Sequence, residues 1–155
     1  MPNYIMDLRK DIGHKPLIMV GASVIVEDAQ GNILLQQRAD NHCWGYAGGA
    51  MELGETLESV AKRELAEETG LIAEELELFG VFSGEEFHHV YPNQDEVYIV
   101  DVVYLCKNYT GQLKAQEGEV ERLAFFSADG LPEKISPPVK PVLQKWLSKA
   151  GRVNL

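Results

Sequence analysis

"GAMELGETLESVAKRELAEETGL" runs from Gly49 to Leu71, and its second half crowds Glu64, Glu67 and Glu68 into a few residues. On a helix turning about 100° per residue, these three fall on one arc of roughly 100°. The same arc is the apolar one. Val60 projects between Glu67 and Glu64, and Leu57, Ala61 and Leu65 lie among or beside the glutamates. Glu58, Ser59, Lys62, Ala66 and Thr69 project to the opposite side, so the pattern turns the three glutamates inward.

Carboxylates at i, i+3 and i+4 stand about 5–6 Å apart at Cβ, and at an effective dielectric near 20 such a pair repels by about 3 kcal/mol. An inward face does not hold three of them unaided. They protonate, spread to solvent, or take a cation among them, and oxygen-only ligands favour a hard divalent ion, Mg²⁺ or Mn²⁺. A solvated acidic face is the competing reading. The helix boundaries are legible: Thr56 is suited to the N-cap, Glu58 to the first turn, and Gly70 to the position just past the end.

Outward from the helix, "PLIMVGASVIVED" (Pro16 to Asp28), the turn "AQGN" and "ILLQQR" (Ile33 to Arg38) read as a hairpin. A glycine-rich loop follows, with Gly45, Gly48, Gly49 and Gly54. Strand patterns return at Leu76 to Phe87, Glu96 to Cys106 and Glu119 to Ser127. "PPVKPVLQKWLSKAG" reads as a last helix over 138–150, with Val142, Leu143, Trp146 and Leu147 at core spacing and Gly151 as its stop. The pattern is a strand-rich α/β arrangement of layers in one domain over 1–155. Residues 1–15 are extra to it, able to add an edge strand or to swap onto a partner in a homodimer.

Residues 49–71 have the form Gly, five residues, Glu, seven residues, then Arg-Glu-apolar-any-Glu-Glu-any-Gly-apolar. This resembles the signature box of the Nudix hydrolases, MutT-like enzymes that hydrolyse nucleoside diphosphates linked to another moiety. At a chance frequency of about 7% for each fixed position, an accidental match in the chain is on the order of one in a million. "WGYAGG" before the box and "FFSADGLPE" after it also fit the family's order, although Ala47 stands where many members have proline and Phe125 where tryptophan is common.

The resemblance implies an α/β/α sandwich with a mixed β-sheet between helices, and Mg²⁺-dependent attack of water on phosphorus. It implies a nucleoside diphosphate derivative as substrate, ADP-ribose-like or a nucleoside triphosphate. It also assigns roles. Glu67 and Glu68 would be metal ligands, Glu64 a further ligand or the water-activating base, and Arg63 its brace. Glu55 would pair with Arg63, and the Gly48 carbonyl would complete the metal shell. Some members place another ligand or base in the loop before the last strand, for which Glu119 is the choice over Glu117, against an ordinary solvated acid. Arg38 is a candidate phosphate contact or a plain surface residue. Tyr46, Phe87 and Tyr91 are stacking groups for a base or packing residues, and the adjacent His88 and His89 fit a substrate edge or surface role better than a metal site. A Nudix-fold sensor that binds nucleotide without turnover is the alternative, usually marked by loss of a box glutamate; none is lost here.

Composition bounds these readings. With 24 acidic and 14 basic residues the formal charge is −10, which disfavours a nucleic-acid polymer as partner while leaving room for a small nucleotide. No apolar run reaches the roughly 18 residues that span a bilayer. "MPNYIMDLRKD" does not resemble a signal peptide, and Cys43 and Cys106 lie outside any CxxC or Cys/His array, so the expectation is a cytoplasmic protein with reduced thiols.

Overall fold

A computed structural model of the chain describes residues 3–149. Its eight strands are β1 (Leu17–Val26), β2 (Ile33–Arg38), β3 (Trp44–Gly45), β4 (Ala47–Ala50), β5 (Leu71–Phe82), β6 (His88–Val90), β7 (Glu96–Gly111) and β8 (Val120–Phe126). Its three α-helices are α1 (Tyr4–Ile12), α2 (Leu57–Thr69) and α3 (Lys140–Lys149). A mixed sheet runs in the order β4-β1-β7-β5, with β1 and β7 parallel and the other pairs antiparallel; β6 also pairs with β7. A smaller antiparallel sheet has the order β3-β2-β8.

β1 is buried on both faces over its second half. Ala22, Val24 and Val26 join Val60, Ala61 and Leu65 of α2 in one core, whereas Ile25 joins Val142, Leu143, Trp146 and Leu147 of α3 in the other. Strand alternation thus sends successive residues to two helices on opposite sides of the sheet. The α/β/α sandwich expected from the sequence is the observed fold, and the α3 residues chosen for core spacing are all buried. The end of that predicted helix, at residue 150, and its Gly151 stop lie outside the described residues.

Three expectations need correction. The predicted hairpin is not a ladder: β1 and β2 meet only at the Glu27–Ile33 bridge and then diverge into different sheets. Both faces of β2 are apolar at Ile33, Leu34 and Leu35, so it serves as a wall between cores. The amino-terminal segment does not form an edge strand. Residues Tyr4–Ile12 are helical, capped by the Asn3 side chain, and the buried Arg9 guanidinium donates to the carbonyls of Gly13, Lys15 and Glu96. Thr69, projected outward, is fully buried.

The cause of the last is the sharp reversal at Gly70, φ 79°, which starts β5 directly at Leu71 and folds it over the helix end. The Thr69 hydroxyl donates to the Leu65 carbonyl at 2.6 Å and accepts from the Leu71 amide at 3.1 Å. Thr69→Val removes both bonds at nearly constant volume, and we expect a loss of about 1–2 kcal/mol in urea unfolding. A stability equal to wild type would show that the hydroxyl does not hold this junction.

Candidate active site

The acidic box is built by α2 and by the strand pair that faces it. The predicted caps are present: Thr56 Oγ1 accepts from the Ser59 amide at 3.1 Å, and the Gly70 amide donates to the Ala66 carbonyl at 3.0 Å. Arg63 is the organiser. Its Nε and Nη2 donate to the two oxygens of Glu55 at 2.8 Å each, and its Nη1 donates to Glu64 Oε1 at 2.8 Å. Nη1 also lies 3.6 Å from Glu67. Glu55 accepts in addition from the Glu52 amide, which ties the loop to the helix. The Arg63 hydrogen bonds hold the Glu55 carboxyl below its usual range, and the same pairing raises the guanidinium.

The three glutamates have separate surroundings. Glu67 is exposed, at the rim and not on the inward face projected for it. Burial pushes Glu64 up, opposed by Arg63. Glu68 is pushed up to about 8, chiefly by burial and next by the charge of Glu64. Its Oε1 accepts from the Gly48 amide at 2.8 Å and from Gln36 Nε2 at 3.1 Å. The Gly48 amide thus ties β4 to the box. Among the described residues the acids do not converge as a preformed metal cluster. Their chemistry nonetheless fits a hard divalent ion: oxygen donors only, two of them disfavoured as anions by burial, on one helix face.

Glycine lets β4 lie close to Glu64 of α2 and lets β1 lie close to β4. A Cβ on Gly49 would stand 2.5 Å from the Glu64 carboxylate, and one on Gly21 would stand 2.6 Å from the Gly49 carbonyl. The first obstacle is the end of a flexible side chain. Gly49→Ala should therefore keep near-wild-type thermal stability while displacing Glu64 and lowering kcat about tenfold; unchanged kcat would show that the position of Glu64 is immaterial.

Beside the box opens a cleft of about 130 Å³ lined by residues of both sheets, including Arg38, Tyr46, Gly48 and Phe87. Arg38 is held by Asp40 through two bonds of 2.9 and 2.7 Å. Tyr46 and Phe87 line the cleft but are buried, and the Tyr46 hydroxyl is committed to Asp101 at 2.9 Å. His89 and Tyr91 also line it, whereas His88 pairs with Glu96 at 2.6 Å. Glu119 is exposed, and its carbonyl accepts from the Ala39 amide at 3.0 Å.

Sequence reading missed Ser23, Gln36 and Asp101. All are buried and line the cleft. Asp101 had a usable signal, a lone acid inside the apolar run "EVYIVDVVYLC", because a buried carboxylate in a strand must find donors. Ser23 supplies one at 2.7 Å and Tyr46 the other. Burial still pushes the Asp101 carboxyl up, against the pull of those two bonds.

A helix-borne acidic box braced by one arginine, packed on a mixed sheet beside a cleft, is the architecture of a class of pyrophosphohydrolases. Residues 17–146 match the NUDIX domain family, and the chain belongs to it. Over 110 residues it is 33% identical to an ADP-ribose pyrophosphatase of Methanocaldococcus jannaschii, covering 68% of this chain and 60% of that one. The chain thus spans less than two thirds of that relative. It is 33% identical over 109 residues to an 8-oxo-dGTP diphosphatase of Haemophilus influenzae, covering 68% of this chain and 74% of the relative. Among solved structures, a MutT NUDIX hydrolase from Burkholderia pseudomallei superimposes with a TM-score of 0.70 at 27% identity, covering 84% and 98% of the two chains. Among the described residues no helix is long and apolar enough to cross a membrane.

Proposed function

We propose that this Nudix-family chain is a Mg²⁺-dependent hydrolase that cleaves the phosphoanhydride bond of a nucleoside diphosphate derivative by attack of water on phosphorus. The observation that carries this reading is the half-buried Glu68 carboxylate, which accepts from the Gly48 amide and from Gln36, two residues that line the cleft; burial and the charge of Glu64 push it up to about 8. An acid so placed gains most from a cation. A bound divalent ion supplies charge neutralisation of the diphosphate and activation of water.

The chain's own residues supply the rest. Glu68, Glu67 and Glu64 would hold the ion, with Gly48 contributing backbone at the same wall. Arg63 orients Glu64, and Glu55 orients Arg63. Glu64, set against Gly49 and already disfavoured as an anion, is better placed as proton acceptor than the exposed Glu119. Arg38 stands at the cleft as the phosphate contact. Both cysteines are free, which accords with a cytoplasmic location.

The relatives' names divide the substrate class between ADP-ribose and a nucleoside triphosphate, and both carry the required phosphoanhydride. The test is a Mg²⁺ assay over ADP-ribose, NADH, dinucleoside polyphosphates and (deoxy)nucleoside triphosphates. We expect hydrolysis of at least one, abolished by EDTA. Tight binding without product over hours would replace the enzyme with a sensor.

A further inference from the structure

We propose that Asp101 determines specificity in the cleft by accepting a hydrogen bond from an N–H at the edge of the substrate's nucleobase. This rests on the reading of the site as a nucleotide hydrolase. Asp101 lies mid-strand in β7, in register with Gly21 of β1 and Phe82 of β5, and it is 8% exposed while still lining the cleft. Gly21 has no side chain to screen the carboxylate from that space. Ser23 Oγ donates to Oδ1 and the Tyr46 hydroxyl to Oδ2, which fixes the carboxylate plane and leaves each oxygen with further acceptor capacity.

The second observation is independent. Gln36 lines the same cleft, is 6% exposed, and its Oε1 has no hydrogen-bond partner. Its orientation is set by the bond from Nε2 to Glu68. The cleft therefore has a buried acceptor in Asp101 and an unpaired one, Gln36 Oε1, covered in its lining, between apolar walls such as Met19, Phe87 and Ile99. A buried acceptor left unpaired is costly, so the ligand that belongs here brings N–H donors on a flat apolar body. A nucleobase has that form. The polar group on its edge also explains why an acid is kept inside an apolar strand.

The test compares kcat/KM for the triphosphates of adenosine, guanosine and purine riboside, the last lacking any N–H on its pairing edge. Wild type should favour the better donor-bearing base over purine riboside about 10- to 100-fold, mainly through KM. In Asp101→Asn this preference should collapse, with KM rising most for the donor-bearing substrates. A preference retained in the variant, or no preference in wild type, overturns the proposal. Thermal melting checks that the variant folds. If it does not, Tyr46→Phe, which removes one of the two donors that fix the carboxylate, should weaken the same preference, and an unaltered ratio would count against Asp101. Failure to hydrolyse any triphosphate would speak against that part of the proposed function and not against this inference. Equilibrium binding of AMP, GMP and purine riboside monophosphate then decides it without turnover.

Discussion

Glu68→Gln should lower kcat with Mg²⁺ by about 10²–10³-fold while leaving the fold intact. The amide keeps Oε1 as acceptor for the Gly48 amide and Gln36 Nε2, so the local bonds survive and only the charge is lost. The metal-free variant should also be more stable than wild type at neutral pH. The folded-state carboxyl sits at about 8 against an ordinary 4.5, so the folded protein binds that proton more tightly than the unfolded chain. Wild type therefore loses stability as pH rises from about 4.5 to 8, a loss that glutamine does not share. Mg²⁺ should raise the wild-type melting temperature and raise that of the variant less. A variant with wild-type kcat, or a wild-type melting temperature indifferent to Mg²⁺, would remove Glu68 from the machinery and favour a plain acidic face.

Arg63→Ala is the second large effect. It leaves Glu55 without its two-pronged partner and Glu64 without its brace, all three side chains being largely but not fully covered. We expect a loss of about 2 kcal/mol in urea unfolding, less than for a wholly buried pair, together with a fall of about 10²-fold in kcat. Lysine should rescue little, since a single ammonium cannot bind both Glu55 oxygens and Glu64 in one plane. Glu55 is held below its ordinary value of 4.5 by this pairing. Its contribution is thus present above that value and fades as pH falls through the lowered one, so the stability gap between wild type and variant should narrow in acid. A constant gap down to acid pH, or full activity in the lysine variant, would show that the pairing does not organise the box.

How much of this was legible beforehand depends on the range of the interactions. The box, its caps at Thr56 and Gly70, and the core spacing of Val142, Leu143, Trp146 and Leu147 are local patterns. Their physics is the 3.6-residue period and the hydrogen-bonding needs of helix ends. The Arg63 pairing with Glu64 and Glu67 follows from neighbours on one helix. Its pairing with Glu55 came only through family resemblance.

Long-range placement is another matter. That β2 leaves β1 for a second sheet is fixed by which cores cover Ile33, Leu34 and Leu35, and no turn sequence encodes it. Thr69 is buried because β5 folds back over it, which a helical projection cannot include. The amino-terminal residues became a helix that docks Arg9 on Glu96, a contact across 87 positions of chain.

By itself the sequence determined the chemistry available: three carboxylates, their arginine and the glycines that let strands approach them. Only the tertiary structure decided their inequality, with Glu68 half-buried and bonded to the Gly48 amide, Glu64 held by Arg63 and Glu67 left at the rim. It alone brought Ser23, Gln36 and Asp101, from three strands, and Tyr46, from the link between β3 and β4, to one cleft. The reason is that burial and donor contacts depend on packing between elements, and these set the charge each acid carries.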